Sequence, residues 1–157
     1  MGDVLQESGK HMLKIDFGSG YNPKPGYKTC DVTYAPFLDY VYDEEKNQIL
    51  YCEKGSVDEF HLRNVVHHVK DLHRLFECLK FYLKENGTIT IIDARKEYFT
   101  QNVILNIIWY RYVIPRYEIW FAKTYRDYSK VLTKLGFVKI DYYISKEKEV
   151  SIWQKKS

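Results

Sequence analysis

Cysteine is scarce in this chain and wrongly spaced for a framework. There are three, Cys30, Cys52 and Cys78, an odd number without a C-x-x-C pair. That excludes a disulfide scaffold and offers no zinc-ligand spacing, and it fits a reducing compartment. Long apolar runs are missing as well. The most apolar stretch, Val103 to Ile114, has 12 residues and is broken by Asn106 and Arg111, whereas a membrane-spanning helix needs about 20 apolar residues. No secretory leader, internal repeat or low-complexity tract is read from the sequence. The expected setting is cytoplasmic, with no membrane partner.

What is present describes a folded domain. The chain has 157 residues, 45% hydrophobic and 29% charged, enough for a single sizeable core. Residues 1–11 carry no periodic apolar pattern, and His11-Met12 has the look of a cloning scar; they are expected to be an expression tag, with one domain over 12–157. The 15 tyrosines suit either a core with wet edges or a pocket lining. Charge is unevenly spread. Met12 to Asp93 holds 10 basic and 13 acidic residues, a net of −3, and Ala94 to Ser157 holds 13 basic and 6 acidic, a net of +7. A basic second half fits an anionic partner, nucleic acid included, and equally a solvated lysine surface.

The apolar period switches repeatedly. Leu13 to Phe17 alternates and stops at Gly18, as a strand does. Gly18 to Gly26 then holds three glycines and two prolines, which makes a loop. Lys28 to Val32, Asp39 to Tyr42 and Val57 to Leu62 read as further strands. Asn64 to Leu83 has apolar residues at spacings of three and four, predicting a helix closed by turn chemistry at Glu85-Asn86-Gly87. Thr88 to Ile92 is a β-branched run suited to a buried strand. Helices are expected over Phe99 to Tyr112 and Tyr125 to Leu135. A terminal hairpin follows from Phe137 to Ile144 and Val150 to Trp153. Strands alternating with helices predict a layered α/β domain with a mostly parallel sheet.

Ligands of such sheets bind beyond the carboxyl ends of the strands. There the sequence places Asp16-Phe17-Gly18-Ser19-Gly20. Its third glycine position is not filled, and no helix start follows to hold a pyrophosphate, which argues against a dinucleotide. Asp31 closes the second strand, where a carboxylate can accept from both hydroxyls of a ribose or simply cap a turn. Asp43-Glu44 follows the third strand, near an adenine amine or as a solvated turn.

Val57 to Val69, running VDEFHLRNVVHHV, and the later LKENGTITII closely resemble the class I S-adenosylmethionine-dependent methyltransferases. Gly18-Ser19-Gly20, Pro25-Gly26-Tyr27, Cys30-Asp31-Val32 and Leu135-Gly136-Phe137 resemble the same family in the same order. The likeness spans Leu13 to Trp153. It implies a Rossmann-like seven-stranded sheet, six strands parallel and one reversed, with a C-terminal antiparallel hairpin and helices on both faces. It implies S-adenosylmethionine as cofactor, with Asp16, Gly18, Ser19 and Gly20 around its methionine end. Asp31 would then hold the ribose, Asp43 would lie near adenine, and Leu62 and Arg63 would pass the sulfonium. Three departures stand out: Asn22 occupies the third glycine position, a proline-rich loop replaces the helix between the first two strands, and no cap helix precedes the first strand. A homo-oligomer is one way to close the opened pocket.

The acceptor is expected to be a small molecule or sugar-like compound, with nucleic acid or protein as the alternative. A fold-retaining protein without turnover is the third reading. The segment Ala94 to Lys123, with Trp109, Arg111, Arg116 and Trp120, is expected either to hold the acceptor or to cover the sheet. His67 and Asp93 are the candidates for a general base, His67 competing with a plain packing role. Four histidines fall between His61 and His73, but His67 and His68 point about 100° apart on a helix, so no metal site is expected.

Overall fold

A computed structural model of the chain describes residues 11–32, 35–97 and 127–157. Strands β1 (Lys14–Phe17), β2 (Lys28–Asp31), β3 (Tyr40–Asp43), β4 (Gln48–Leu50), β5 (Val57–Arg63) and β6 (Leu83–Ala94) are followed by β7 (Phe137–Ser145) and β8 (Lys148–Lys155). Helix α1 spans Leu72–Tyr82 and α2 spans Tyr128–Lys134. The eight strands form one sheet in the order β4-β3-β2-β1-β5-β6-β8-β7. Pairings among β3, β2, β1, β5 and β6 are parallel, and β8 runs antiparallel to both β6 and β7. This is the expected mostly parallel sheet with its terminal hairpin. The short β4, antiparallel to β3, is an eighth strand that the sequence pattern did not announce.

The register sorts residues onto two unlike faces. Ile15, Phe60, Ile89 and Trp153 lie in one row across four strands, and Phe17, Leu62 and Ile91 lie in the row one pleat further. All seven are buried. Leu72, Leu75, Phe76 and Leu79 of α1 and Leu132 of α2 complete that core. Both described helices pack on this face, and Lys80 Nζ of α1 donates to the Leu135 carbonyl just past α2 at 2.6 Å.

The rows on the opposite face are polar. One contains Lys14, Glu59, Thr88 and Gln154; the next contains Asp16, His61, Thr90 and Ile152. A parallel sheet normally has apolar cover on both sides. Here, among the described residues, it is the loop after β1 that lies on the second face. The Lys24 amide donates to Asp16 Oδ2 at 2.8 Å, the Tyr27 hydroxyl to Glu59 at 2.9 Å, and Arg63 to the Asn22 carbonyl at 2.7 Å. These hydrogen bonds hold the proline-rich segment on the sheet as a loop, as its glycines and prolines predict.

The long helix over Asn64 to Leu83 is corrected by the structure. A 3₁₀ turn covers Val66–His68, Val69 is extended, and the α-helix starts only at Leu72. Asp71 is its N-cap, accepting from the Arg74 amide at 3.0 Å. Asn64 has φ of 57°. The β-branched Val65, Val66 and Val69 resist helix, and Asp is a preferred cap, so the apolar spacing alone over-extended the element. The turn expected at Glu85-Asn86-Gly87 survives inside β6. Leu83 pairs with Val57, but the next clean pair is Thr88 with Glu59, and Asn86 has φ of 62°. The helix expected over Phe99 to Tyr112 lies outside the described residues.

The polar face turns on one buried pair. His61 Nδ1 lies 2.9 Å from Asp16 Oδ1, both side chains 3% exposed. Burial works to raise the Asp16 carboxyl. Hydrogen bonds from His61 and the Lys24 amide, with the charges of His61 and Arg63, outweigh it and hold the group below its usual value. A depressed acid adds stability that is present above its ordinary titration range and is lost as pH falls through the lowered one. Removing one member of a buried pair costs about 3–5 kcal/mol. His61→Ala is therefore expected to lower the free energy of unfolding by about that amount, measured by urea denaturation at neutral pH.

Candidate functional site

The carboxyl ends of β1, β2, β5 and β6 meet at one edge of the sheet. After β1 the chain turns sharply. The Gly18 and Ser19 amides both donate to the Cys30 carbonyl, at 2.8 and 3.2 Å. The Gly20 amide donates to Asp31 Oδ2 at 2.8 Å, and the Val32 amide to Asp31 Oδ1 at 2.7 Å. The glycine turn and the acid that closes β2 are thus joined directly. Each carboxylate oxygen keeps a second lone pair beyond the amide it already serves. Ser19 Oγ is buried and finds no hydrogen-bond partner among the described residues.

Gly18 is required for packing. Its φ is +71°, and a Cβ there would sit 2.5 Å from Val65 Cγ2. Val65 opens the 3₁₀ turn after β5, so this contact brings that turn against the glycine loop. Asn64 ties it to β6, its amide donating to the Ile92 carbonyl at 2.8 Å. Lys148 from β8 donates to Asn64 Oδ1, also at 2.8 Å.

The same turn presents two histidines. His67 Nδ1 lies 2.6 Å from Asp93 Oδ1, which also accepts the Ala94 amide at 2.7 Å. Asp93 is 2% exposed, and its Oδ2 has no partner among the described residues. The His68 ring lies 4.0 Å from the His67 ring. Burial, with a smaller push from His67, drives His68 down to about 4, against a weak opposing pull from Asp93. His68 is neutral at physiological pH.

The expected site residues fall into three groups. Gly18, Ser19, Gly20 and Asp31 form one turn. His67 and Asp93, two separate candidates in the sequence, are in hydrogen-bond contact. The others make contacts within the chain. Asp16 points to the polar face, Arg63 reaches the Asn22 carbonyl, and Leu62 is fully buried between β1 and β6. Asp43 accepts from the Lys46 amide at 3.0 Å in the β3–β4 turn. The aromatic and arginine positions from Tyr98 to Phe121 lie outside the described residues. Sequence reasoning missed Val65, His61 and Asp71. The alternation Glu59, His61, Arg63 against Phe60 and Leu62 was the signal for His61. Among the described residues no cluster of three metal-ligating side chains occurs, and no helix is long and apolar enough to cross a membrane. A cavity of about 550 Å³ bordered by Met12, Lys14, Tyr27 and Asp39 lies at the amino ends of the strands, away from this site.

No family model matches the chain, and no curated protein matches it. Solved structures do, methyltransferases among them. A type 11 methyltransferase from Sulfolobus solfataricus is 17% identical with a TM-score of 0.60, over 95% of this chain and 86% of that one. The geranyl diphosphate C-methyltransferase from Streptomyces coelicolor, solved with Mg²⁺, geranyl-S-thiolodiphosphate and S-adenosyl-L-homocysteine, is 14% identical with a TM-score of 0.61, over 98% and 73%. The CurJ carbon methyltransferase is 16% identical with a TM-score of 0.61, over 93% of this chain, which spans only 49% of that one. The fold of this chain is therefore that of the class I methyltransferases.

Two outcomes follow from the turn. Gly18→Ala is expected to cost about 1–3 kcal/mol through overpacking, and Val65→Ala in the same chain to recover part of it, compared by denaturant midpoints. His68, with a lowered value, stabilises the native state fully above pH 6.5 and withdraws that stability as pH falls toward about 4. His68→Asn is expected to flatten this acid dependence, read from urea midpoints across that range.

Proposed function

We propose that this chain is an S-adenosylmethionine-dependent methyltransferase acting in the cytoplasm. The observation that carries the reading is the joined pair at the ends of β1 and β2, the Gly18–Gly20 turn bonded to Asp31 at 2.8 Å. Adjacent parallel strands put a close backbone approach and an acceptor-only carboxylate side by side, which suits a nucleoside bearing an amino acid and no phosphate. The orphaned Ser19 hydroxyl, buried at that turn, fits a polar group arriving from solution. Asp31 would hold the ribose, and Ser19 and Gly20 would face the amino-acid end. Asp16 acts from behind, by fixing the loop.

The cofactor supplies an electrophilic methyl group. The residues of the chain supply position and exclude water. A small-molecule or sugar-like acceptor is favoured within this proposal. A nucleic-acid or protein acceptor is the second reading, supported by the net charge of +7 over Ala94 to Ser157. Binding to RNA or DNA that weakens steeply with salt distinguishes it. A protein that keeps the fold without turnover is the third, supported by Asn22 in place of a glycine. A homo-oligomer remains part of the proposal, supported by Ile140, Tyr142, Tyr143 and Ile144, all about half exposed on the edge strand β7.

Calorimetric titration with S-adenosylmethionine and S-adenosylhomocysteine tests the reading; no heat at millimolar ligand sinks it. Asp31→Ala is expected to weaken both by about 1–3 kcal/mol, the cost of losing a charged hydrogen-bond partner.

A further inference from the structure

The irregular segment between β5 and α1 gives up helical hydrogen bonds and in exchange holds His67 against Asp93. We propose that His67, oriented by Asp93, takes the proton of a hydroxyl-bearing methyl acceptor at this edge of the sheet. The inference rests on the methyl-transfer reading above and adds to it the class of acceptor.

The geometry sets the roles. A carboxylate only accepts, so the 2.6 Å contact places the proton on His67 Nδ1 and the basic lone pair on Nε2. Asp93 is a positioning residue: its oxygens are withdrawn from water, one bonded to His67 and the Ala94 amide, the other unpartnered among the described residues. Such a carboxylate favours a histidine that gains charge during a reaction. His68, packed on His67, is neutral near pH 7 and does not oppose that charge. Among the described residues, the titratable and charged groups near the pair on neighbouring elements are Glu149, opposite Asp93 on β8, Tyr128 from α2 and Tyr142 from β7, both hydrogen-bonded to Glu149, Lys148 held by Asn64, and Arg95 beyond β6, paired with Glu97.

The location also fits. Val65, two residues before His67, lies against Gly18, and β5 sits between β1 and β6. The pair stands at the same end of the sheet as the glycine turn. In the step inferred, the acceptor oxygen bonds to the methyl carbon as the carbon–sulfur bond breaks. That electron pair stays on sulfur, and the hydroxyl proton passes to His67 Nε2 and then to water. A neutral hydroxyl needs this help; a thiolate does not.

The test uses the full chain as wild type, His67→Asn and Asp93→Asn. Labelled S-adenosylmethionine is offered with a phenol, a primary amine and a thiol as probe nucleophiles. Cofactor affinity is measured on each variant by calorimetry, which also reports that each is folded. A wild type that binds neither S-adenosylmethionine nor S-adenosylhomocysteine overturns the methyl-transfer reading and this inference together. With binding intact, the expected result is label on the phenol, reduced by about 10²–10⁴-fold in His67→Asn at unchanged cofactor affinity. Asp93→Asn is expected to move the acid limb of rate against pH. Independently of turnover, diethyl pyrocarbonate should modify His67 more slowly in Asp93→Asn, measured by mass spectrometry relative to His73, which is 54% exposed. The inference is overturned, with the methyl-transfer reading left standing, by any of three results in a cofactor-binding protein. These are no transfer to the phenol, transfer undiminished in His67→Asn, or an unchanged His67 to His73 modification ratio.

Discussion

The contact between Asp16 and His61 is the constraint on which the polar face of the sheet and the loop above it depend. Its charge sits where a doubly covered parallel sheet would carry a valine or isoleucine. By accepting from His61 and from the Lys24 amide at once, Asp16 draws the loop after β1 down onto the sheet. That placement brings the Gly20 amide to Asp31. It adds to the direct ties between the turn and the second strand, the Gly18 and Ser19 amides on the Cys30 carbonyl, and the groups at that edge share one geometry.

Two chemically different features then share that edge. One is acceptor-rich and shallow, formed by the glycine turn and Asp31. The other is a buried carboxylate with its histidine, formed by β6 and the turn after β5. Val65 separates them and touches the first through Gly18. The β-branched side chain fixes a distance there that a flexible residue would leave loose. The solved methyltransferases share the fold at 14–17% identity.

Much of the architecture was legible because it rests on period. Alternation in Leu13 to Phe17, the β-branched run Thr88 to Ile92 and the terminal strand–turn–strand each declared themselves. The misreadings share a cause. Periodicity reports which side chains are apolar and says nothing of where backbone hydrogen bonds go. The valines after Asn64 fit a helical stripe, yet Asp71 caps a helix that starts eight residues later than Asn64. The strand β4 is three residues long, too short for any period to register. At the site, Gly18 to Gly20 and Asp31 were legible as a spaced pair of motifs. The meeting of His67 with Asp93 was not, being 26 residues apart in the chain and joined only by the sheet. The contacts of Asp16 with His61 and of Arg63 with the Asn22 carbonyl were not legible either, because sequence gives a residue's type and not the face it occupies.

The polar character of the face opposite α1 and α2 bears on how this edge breathes. Beneath the segment from Ser19 to Tyr27 lie Asp16, Glu59 and His61, so it can detach without uncovering the apolar interior. Each hydrogen bond lost is worth roughly 0.5–1.5 kcal/mol, less in sum than global denaturation requires. Amides of that segment are expected to exchange faster than those of β1 and β5. A molecule seated there would also hold that segment closed, and its dissociation constant would then include the free energy of local opening.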